Sequence, residues 1–121
     1  MIRVFIADDH EFIRAGLTSI LAAIPDIEVI GEAANGHDVL QALREKTPDA
    51  LVLDMSMPGM DGAETFRRLR EVDPEARVVI TSGHCEADVN VQFPNSSLAG
   101  FLQKPYDLAS LVRMTKSVIA G

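Results

Sequence analysis

Ala50-Leu51-Val52-Leu53 runs straight into Asp54. The run is short, apolar and uninterrupted, as a strand buried on both faces of a parallel sheet would be. Two other runs stop in the same way. Arg3-Val4-Phe5-Ile6-Ala7 meets Asp8-Asp9, and Gly100-Phe101-Leu102-Gln103 meets Lys104-Pro105. In an open α/β sheet, ligands bind in the crevice beyond the carboxyl ends of the strands, where the strand order reverses. Three carboxylates and one ammonium delivered to that edge predict a pocket for a hard divalent cation and an anion that lysine can hold. A phosphoryl group with Mg²⁺ is the most economical pair.

Outward from these strands, strand and helix signals alternate along the chain. Residues 2–7 read as a buried strand, followed by Ile13, Leu17, Ile20, Leu21 and Ile24 at helical spacing up to Pro25-Asp26. Residues 27–34 read as a second strand with imperfect alternation. Residues 36–46 then carry Val39, Leu40 and Leu43 on one helical face, ending before Pro48. The third strand, 49–53, leads into the turn-rich Met57-Pro58-Gly59-Met60-Asp61-Gly62. A helix over 64–72 turns Phe66 and Leu69 inward. Strands over 77–81 and 98–102 follow, and a last helix carries Leu108, Leu111, Val112 and Ile119. Five such units call for an α/β doubly wound parallel sheet, and the flavodoxin-like (βα)5 order 2-1-3-4-5 sets strand 1 beside strand 3. Asp8 and Asp9 then share a crevice with Asp54.

Composition bounds the function. The 121 residues fit one domain, 1–121, with 47% hydrophobic and 24% charged residues. A net charge of −7 argues against direct nucleic-acid binding by this domain. Arg67, Arg68 and Arg70 read as a solvated helix face. One cysteine, Cys85, fits a reducing compartment, and no apolar stretch approaches the ~20 residues that span a bilayer. The expected location is cytoplasmic.

The set Asp8-Asp9, Asp54, Met57-Pro58-Gly59-Met60-Asp61-Gly62, Ser82 and Lys104-Pro105, in order over the whole chain, resembles the receiver domain of two-component response regulators. The resemblance implies phosphoryl transfer onto Asp54 from a sensor histidine kinase or phosphotransfer protein. It implies Mg²⁺ on Asp9 and Asp54, with Asp8 assisting and the Ser56 backbone carbonyl as a further ligand. Lys104 would hold the phosphoryl oxygens, and the Lys104-Pro105 peptide would be cis. Ser82 corresponds to the switch hydroxyl, with Thr81 left to packing, and Phe101 to the aromatic coupled to it. Ser56 and His84 fall at positions that tune phosphoryl lifetime; His84 reads equally well as an exposed loop imidazole. The output face would lie around residues 86–97, the fifth strand and the last helix, serving an effector domain or a homodimer.

Two stretches depart from a single pattern. The opening Ile6-Ala7-Asp8-Asp9-His10-Glu11-Phe12-Ile13-Arg14-Ala15-Gly16-Leu17 is similar to receivers that precede a LuxR-type helix-turn-helix domain. Residues 98–108 instead resemble receivers of hybrid sensor kinases. Pro94, with Asn90, Asn95, Ser96 and Ser97, predicts a short or irregular helix over 86–97. A haloacid-dehalogenase-type phosphatase would need a second aspartate where Ser56 stands. A flavodoxin-type carrier would not place Asp8-Asp9 against a phosphate. The chain is therefore expected to be no enzyme beyond its own phosphorylation and dephosphorylation. The remaining alternative is a phosphorylation-independent protein-interaction module.

Overall fold

The computed structural model describes residues 2–55, 59–60, 62–83, 100–104 and 108–120. Its elements are β1 (Ile2–Ala7), α1 (Glu11–Ala22), β2 (Ile27–Ala33), α2 (Gly36–Leu43), β3 (Ala50–Asp54), α3 (Gly62–Val72), β4 (Val78–Ser82), β5 (Gly100–Gln103) and, last, α4 (Leu108–Ala120). The strands form one sheet in the order β2-β1-β3-β4-β5, and every pairing is parallel. The expected flavodoxin-like order is the observed one. Residues 86–97, with the irregular helix expected there, lie outside the described residues, as do Ser56, Asp61, His84, Cys85 and Pro105. So do the side chains of Leu108 and Ile119.

Strand alternation divides the core in two. Phe5, Ala7, Leu51, Leu53, Val78 and Ile80 face one side, where they pack with Val39, Leu43, Phe66 and Leu69 of α2 and α3. Val4, Ile6, Ala50, Val52, Val79 and Leu102 face the other, with Leu17 and Leu21 of α1 and Leu111 of α4. Because both faces are covered, β3 and β4 are buried at all of their positions, and their sequences are apolar without alternation. Among the described residues, no helix is long and apolar enough to cross a membrane.

The imperfect alternation of β2 has a physical cause. Val4 pairs with Val29 but Phe5 pairs with Gly31, so Ile30 is an extra residue in the strand. Such a bulge reverses which side chains face which layer. Val29 packs with the α1 side, whereas Ala33 packs with the α2 side. Lys46 Nζ donates to the Ile30 carbonyl at 2.8 Å, and α2 ends at Leu43, earlier than its apolar pattern suggested. Boundaries elsewhere shift by one or two residues, which places Asp54 and Ser82 as the last residues of their strands.

After β3 the chain returns tightly against the strand it has just left. Gly62 N donates to Met55 O at 2.9 Å, and a Cβ on Gly62 would stand 2.6 Å from Met55 Cα and 2.9 Å from Asp54 O. Both obstacles are backbone, so relief requires the β3 end or α3 to move. Gly62→Ala is expected to cost about 1–3 kcal/mol in urea unfolding. Gly16→Ala serves as the contrast: a Cβ there meets nothing within 4 Å, and helix propensity should yield a gain of roughly 0.5–1 kcal/mol.

Candidate functional site

The sheet order alone brings three ends together. Ala7 pairs with Leu53, so Asp8 and Asp54 follow side by side at the carboxyl edge. Both are buried, Asp8 at 2% and Asp54 at 1% exposure. Lys104 arrives from β5, with β4 lying between β5 and β3. Two strand spacings of about 4.8 Å put that gap near 10 Å, which the four-carbon lysine stem bridges. Its Nζ sits 3.1 Å from Asp8 Oδ2 and 3.2 Å from Asp54 Oδ1. Lys104 N donates to Ser82 O at 2.6 Å, extending the β4–β5 ladder one step and fixing where the stem begins. Burial pulls the ammonium pKa down, but the hydrogen bond to Asp8 and the charges of Asp54 and Asp8 outweigh it. The net shift is upward from the ordinary lysine value, so Lys104 is a cation throughout the neutral range.

Asp9 and His10 complete the cluster. One ligand atom from each of Asp8, Asp9, His10 and Asp54 lies within 4.8 Å of the others. His10 N donates to Asp8 Oδ1 at 2.9 Å, closing a tight turn. His10 Nδ1 is 3.1 Å from both Asp8 Oδ1 and Asp9 Oδ1, with hydrogen-bond geometry only toward Asp8. Asp9 Oδ1 is buried and accepts no hydrogen bond among the described residues. Behind the turn, Arg14 Nη1 donates to Asp8 O at 2.6 Å, while Arg14 Nε bonds Glu32 Oε1 at 3.2 Å. Thr18 holds the other Glu32 oxygen at 3.1 Å.

A divalent metal fits this donor set. Three carboxylates face one ammonium, leaving an excess of two negative charges, since Arg14 is matched by Glu32. The donors are chiefly hard oxygens of the kind Mg²⁺ prefers. The buried Asp9 oxygen, which accepts no hydrogen bond among the described residues, is a further donor for such an ion.

Asp8, Asp9, Asp54 and Lys104 are thus brought together as their sequence positions suggested. Ser56, expected to add a carbonyl, and His84 lie outside the described residues. The pair Thr81 and Ser82 needs more care. Asp54 pairs with Thr81, so alternation gives Thr81 the parity of Asp54, Val52 and Val79. Alternation alone therefore does not point Ser82 at Asp54. Ser82 stands one residue further, at the end of β4, and has the parity of Ile80, whose β5 partner is Phe101. Ser82 and Phe101 consequently belong to the same sheet face. Sequence reasoning assigned neither His10 nor Arg14 a role at the site. His10 is the N-cap of α1, yet its side chain makes no capping bond and turns back to the acids. The available signal was spacing: Arg14 follows His10 by four residues, one helical turn.

Known proteins give this geometry a family. The response regulator receiver domain profile matches residues 4–116. The response regulator GacA of Pseudomonas viridiflava is 38% identical over 125 residues, covering 100% of this chain and 56% of that protein. The solved two-component response regulator of the LuxR family from Aurantimonas sp. is 31% identical. It superposes with a TM-score of 0.91 over 98% of this chain and 85% of its own. The CheX-CheY-BeF3-Mg+2 complex from Borrelia burgdorferi is similar at 28% identity and a TM-score of 0.89, covering 97% of this chain and 88% of that one. The chain belongs to the response regulator receiver domains, the phosphorelay receivers of two-component systems. It spans about half the length of GacA and the other full-length relatives it matches.

Charge compensation in the crevice leads to a direct test. Lys104→Met should destabilise the fold by about 3 kcal/mol, the low end for breaking a buried ion pair, because Lys104 is a fifth exposed. Millimolar Mg²⁺ should raise the melting temperature of this variant more than that of the wild type, as the metal takes over compensation. An equal response in both would mean that metal and ammonium do not share these acids.

Proposed function

We propose that Asp54 accepts a phosphoryl group from the phosphohistidine of a sensor kinase or phosphotransfer protein, or from a small phosphodonor. The observation that carries this reading is the Lys104 ammonium bridging Asp8 and Asp54 beside an acid pair. An Asp54 carboxylate oxygen attacks phosphorus, the P–N bond breaks, and the imidazole leaves with the electron pair and takes up a proton. A carboxylate is a weak nucleophile, so catalysis consists of alignment and of charge neutralisation on the transferring oxygens. Asp8, Asp9, Asp54 and the Ser56 carbonyl would hold Mg²⁺, which when bound neutralises phosphoryl charge. Lys104 supplies the point charge on the other side, fixed by its backbone bond to Ser82.

Activation then follows as a population shift. The Ser82 hydroxyl engages the phosphoryl group, and Phe101, half-buried against the α2–α3 side of the core, repacks on the face it shares with Ser82. The change reaches the surface around β5, α4 and residues 86–97. There it would act on an effector domain, of the LuxR type in view of the relatives, or on a second copy. The whole chain 1–121 serves as this receiver, in the cytoplasm, with no substrate other than its own aspartate. No observation favours the phosphorylation-independent module.

Intact-mass measurement after treatment with a small phosphodonor and Mg²⁺ should show one added phosphoryl group on wild type and none on Asp54→Asn. Equal labelling of both would overturn the acceptor assignment. Ser82→Ala should leave labelling intact while abolishing the phosphorylation-dependent chemical-shift change at Phe101. Thr81→Ala should preserve that change, and the reverse pattern would transfer the switch to Thr81.

A further inference from the structure

His10 is the one member of the cluster that the proposed Mg²⁺ site does not use. Its position would let its side chain cap α1, but it makes no such bond. The imidazole instead holds Nδ1 at 3.1 Å from an oxygen of Asp8 and from an oxygen of Asp9, with its side chain 60% exposed. One imidazole nitrogen of His10 and one carboxylate oxygen from each of Asp8, Asp9 and Asp54 all lie within 4.8 Å of one another.

We propose that His10 is a fourth donor which makes this pocket a site for Zn²⁺ and similar imidazole-accepting cations as well as for Mg²⁺. Three oxygens and one nitrogen make the count of four that Zn²⁺ takes in tetrahedral sites. Bonds of about 2.1 Å in a tetrahedron separate the donor atoms by about 3.4 Å. The 3.1 Å spacings around Nδ1 are already close to that, and the widest separations, at most 4.8 Å, need to close by up to about 1.4 Å. Carboxylate oxygens alone suit Mg²⁺ and Mn²⁺; an imidazole shifts the preference toward Zn²⁺, Ni²⁺ and Cu²⁺. Binding requires Nδ1 to give up its hydrogen bond to Asp8, with the ring proton carried on Nε2. The buried Asp9 oxygen that accepts no hydrogen bond gains a partner. Zn²⁺ held in this way engages the Asp54 carboxylate, and so competes with Mg²⁺ and with phosphoryl acceptance. The inference rests on the metal-site reading above.

The test is calorimetric titration of the metal-free chain with Zn²⁺ and, separately, Mg²⁺, using wild type, His10→Ala, His10→Ser and Asp9→Ala. His10→Ser keeps a residue favoured at an N-cap and serves if the alanine variant fails to fold. The expected result is a loss of about tenfold or more in Zn²⁺ affinity on removing the imidazole, with Mg²⁺ affinity unchanged. Electron paramagnetic resonance of bound Cu²⁺ should show coupling to an imidazole nitrogen in wild type, lost in either His10 variant. Unchanged Zn²⁺ affinity, or nitrogen coupling that persists without His10, overturns the proposal. Asp9→Ala separates the two readings. If it binds Mg²⁺ as wild type does, the acidic metal site itself is wrong. If it loses Mg²⁺ while the His10 variants keep their Zn²⁺ affinity, only the role of His10 falls.

Discussion

The Lys104 ammonium between Asp8 and Asp54 is the interaction on which the rest of this structure depends. Two carboxylates excluded from water at the end of a hydrophobic sheet are costly to bring together. Their proximity is imposed by topology, because β1 and β3 are neighbours in the order β2-β1-β3-β4-β5. The same topology delivers the compensating cation from two strands away. Lysine suits that distance: its ammonium is a compact charge on a stem long enough to cross β4. A single cation does not balance three acids, and the shortfall makes the pocket receptive to a dication.

The fold was legible because buried parallel strands are written as unbroken apolar runs, and because their ends were marked by charge. β1, β3 and β5 each finish where a hydrophobic run meets Asp or Lys, so strand ends and site residues came from one signal. β2 was harder to read. Its parity reverses at Ile30, and a bulge has no sequence signature beyond the neighbouring Gly31. The end of α2 at Leu43 was not legible either: Lys46 lies beyond it, and its ammonium bonds the carbonyl of that bulge. Propensity carries no information about a tertiary contact of this kind.

Within the site, the residues named in advance were those whose chemistry is visible in one dimension. Carboxylates after a strand and a lysine before a proline announce themselves. His10 and Arg14 do not, because their roles depend on the direction of the chain as it enters α1. The His10 side chain leaves its helix uncapped to meet the acids. Arg14, one turn later, reaches back to the Asp8 carbonyl while anchored on Glu32 of β2. The β1–α1 turn is thereby tied to an edge strand by charge-assisted hydrogen bonds, the stronger kind. The acid pair is held by this second layer as well as by its own strand.

The two hydroxyl residues show how a one-residue difference separates two faces of the sheet. Thr81 is in register with Asp54 and shares its parity, so it belongs to the face on which Val52 and Val79 pack. Ser82 belongs to the opposite face, with Ile80 and Phe101, and its carbonyl receives the Lys104 amide. A hydroxyl on the first face shares it with Asp54 and not with Phe101. Ser82 is the last residue of its strand. Its backbone is bonded to the residue bearing the ammonium, and its side chain belongs to the face of the aromatic. The proposed displacement of Ser82 would therefore have two paths, through the ladder to Lys104 and through the face to Phe101. That double connection supports the proposed switch role of Ser82, even though the register gives Thr81 the parity of Asp54.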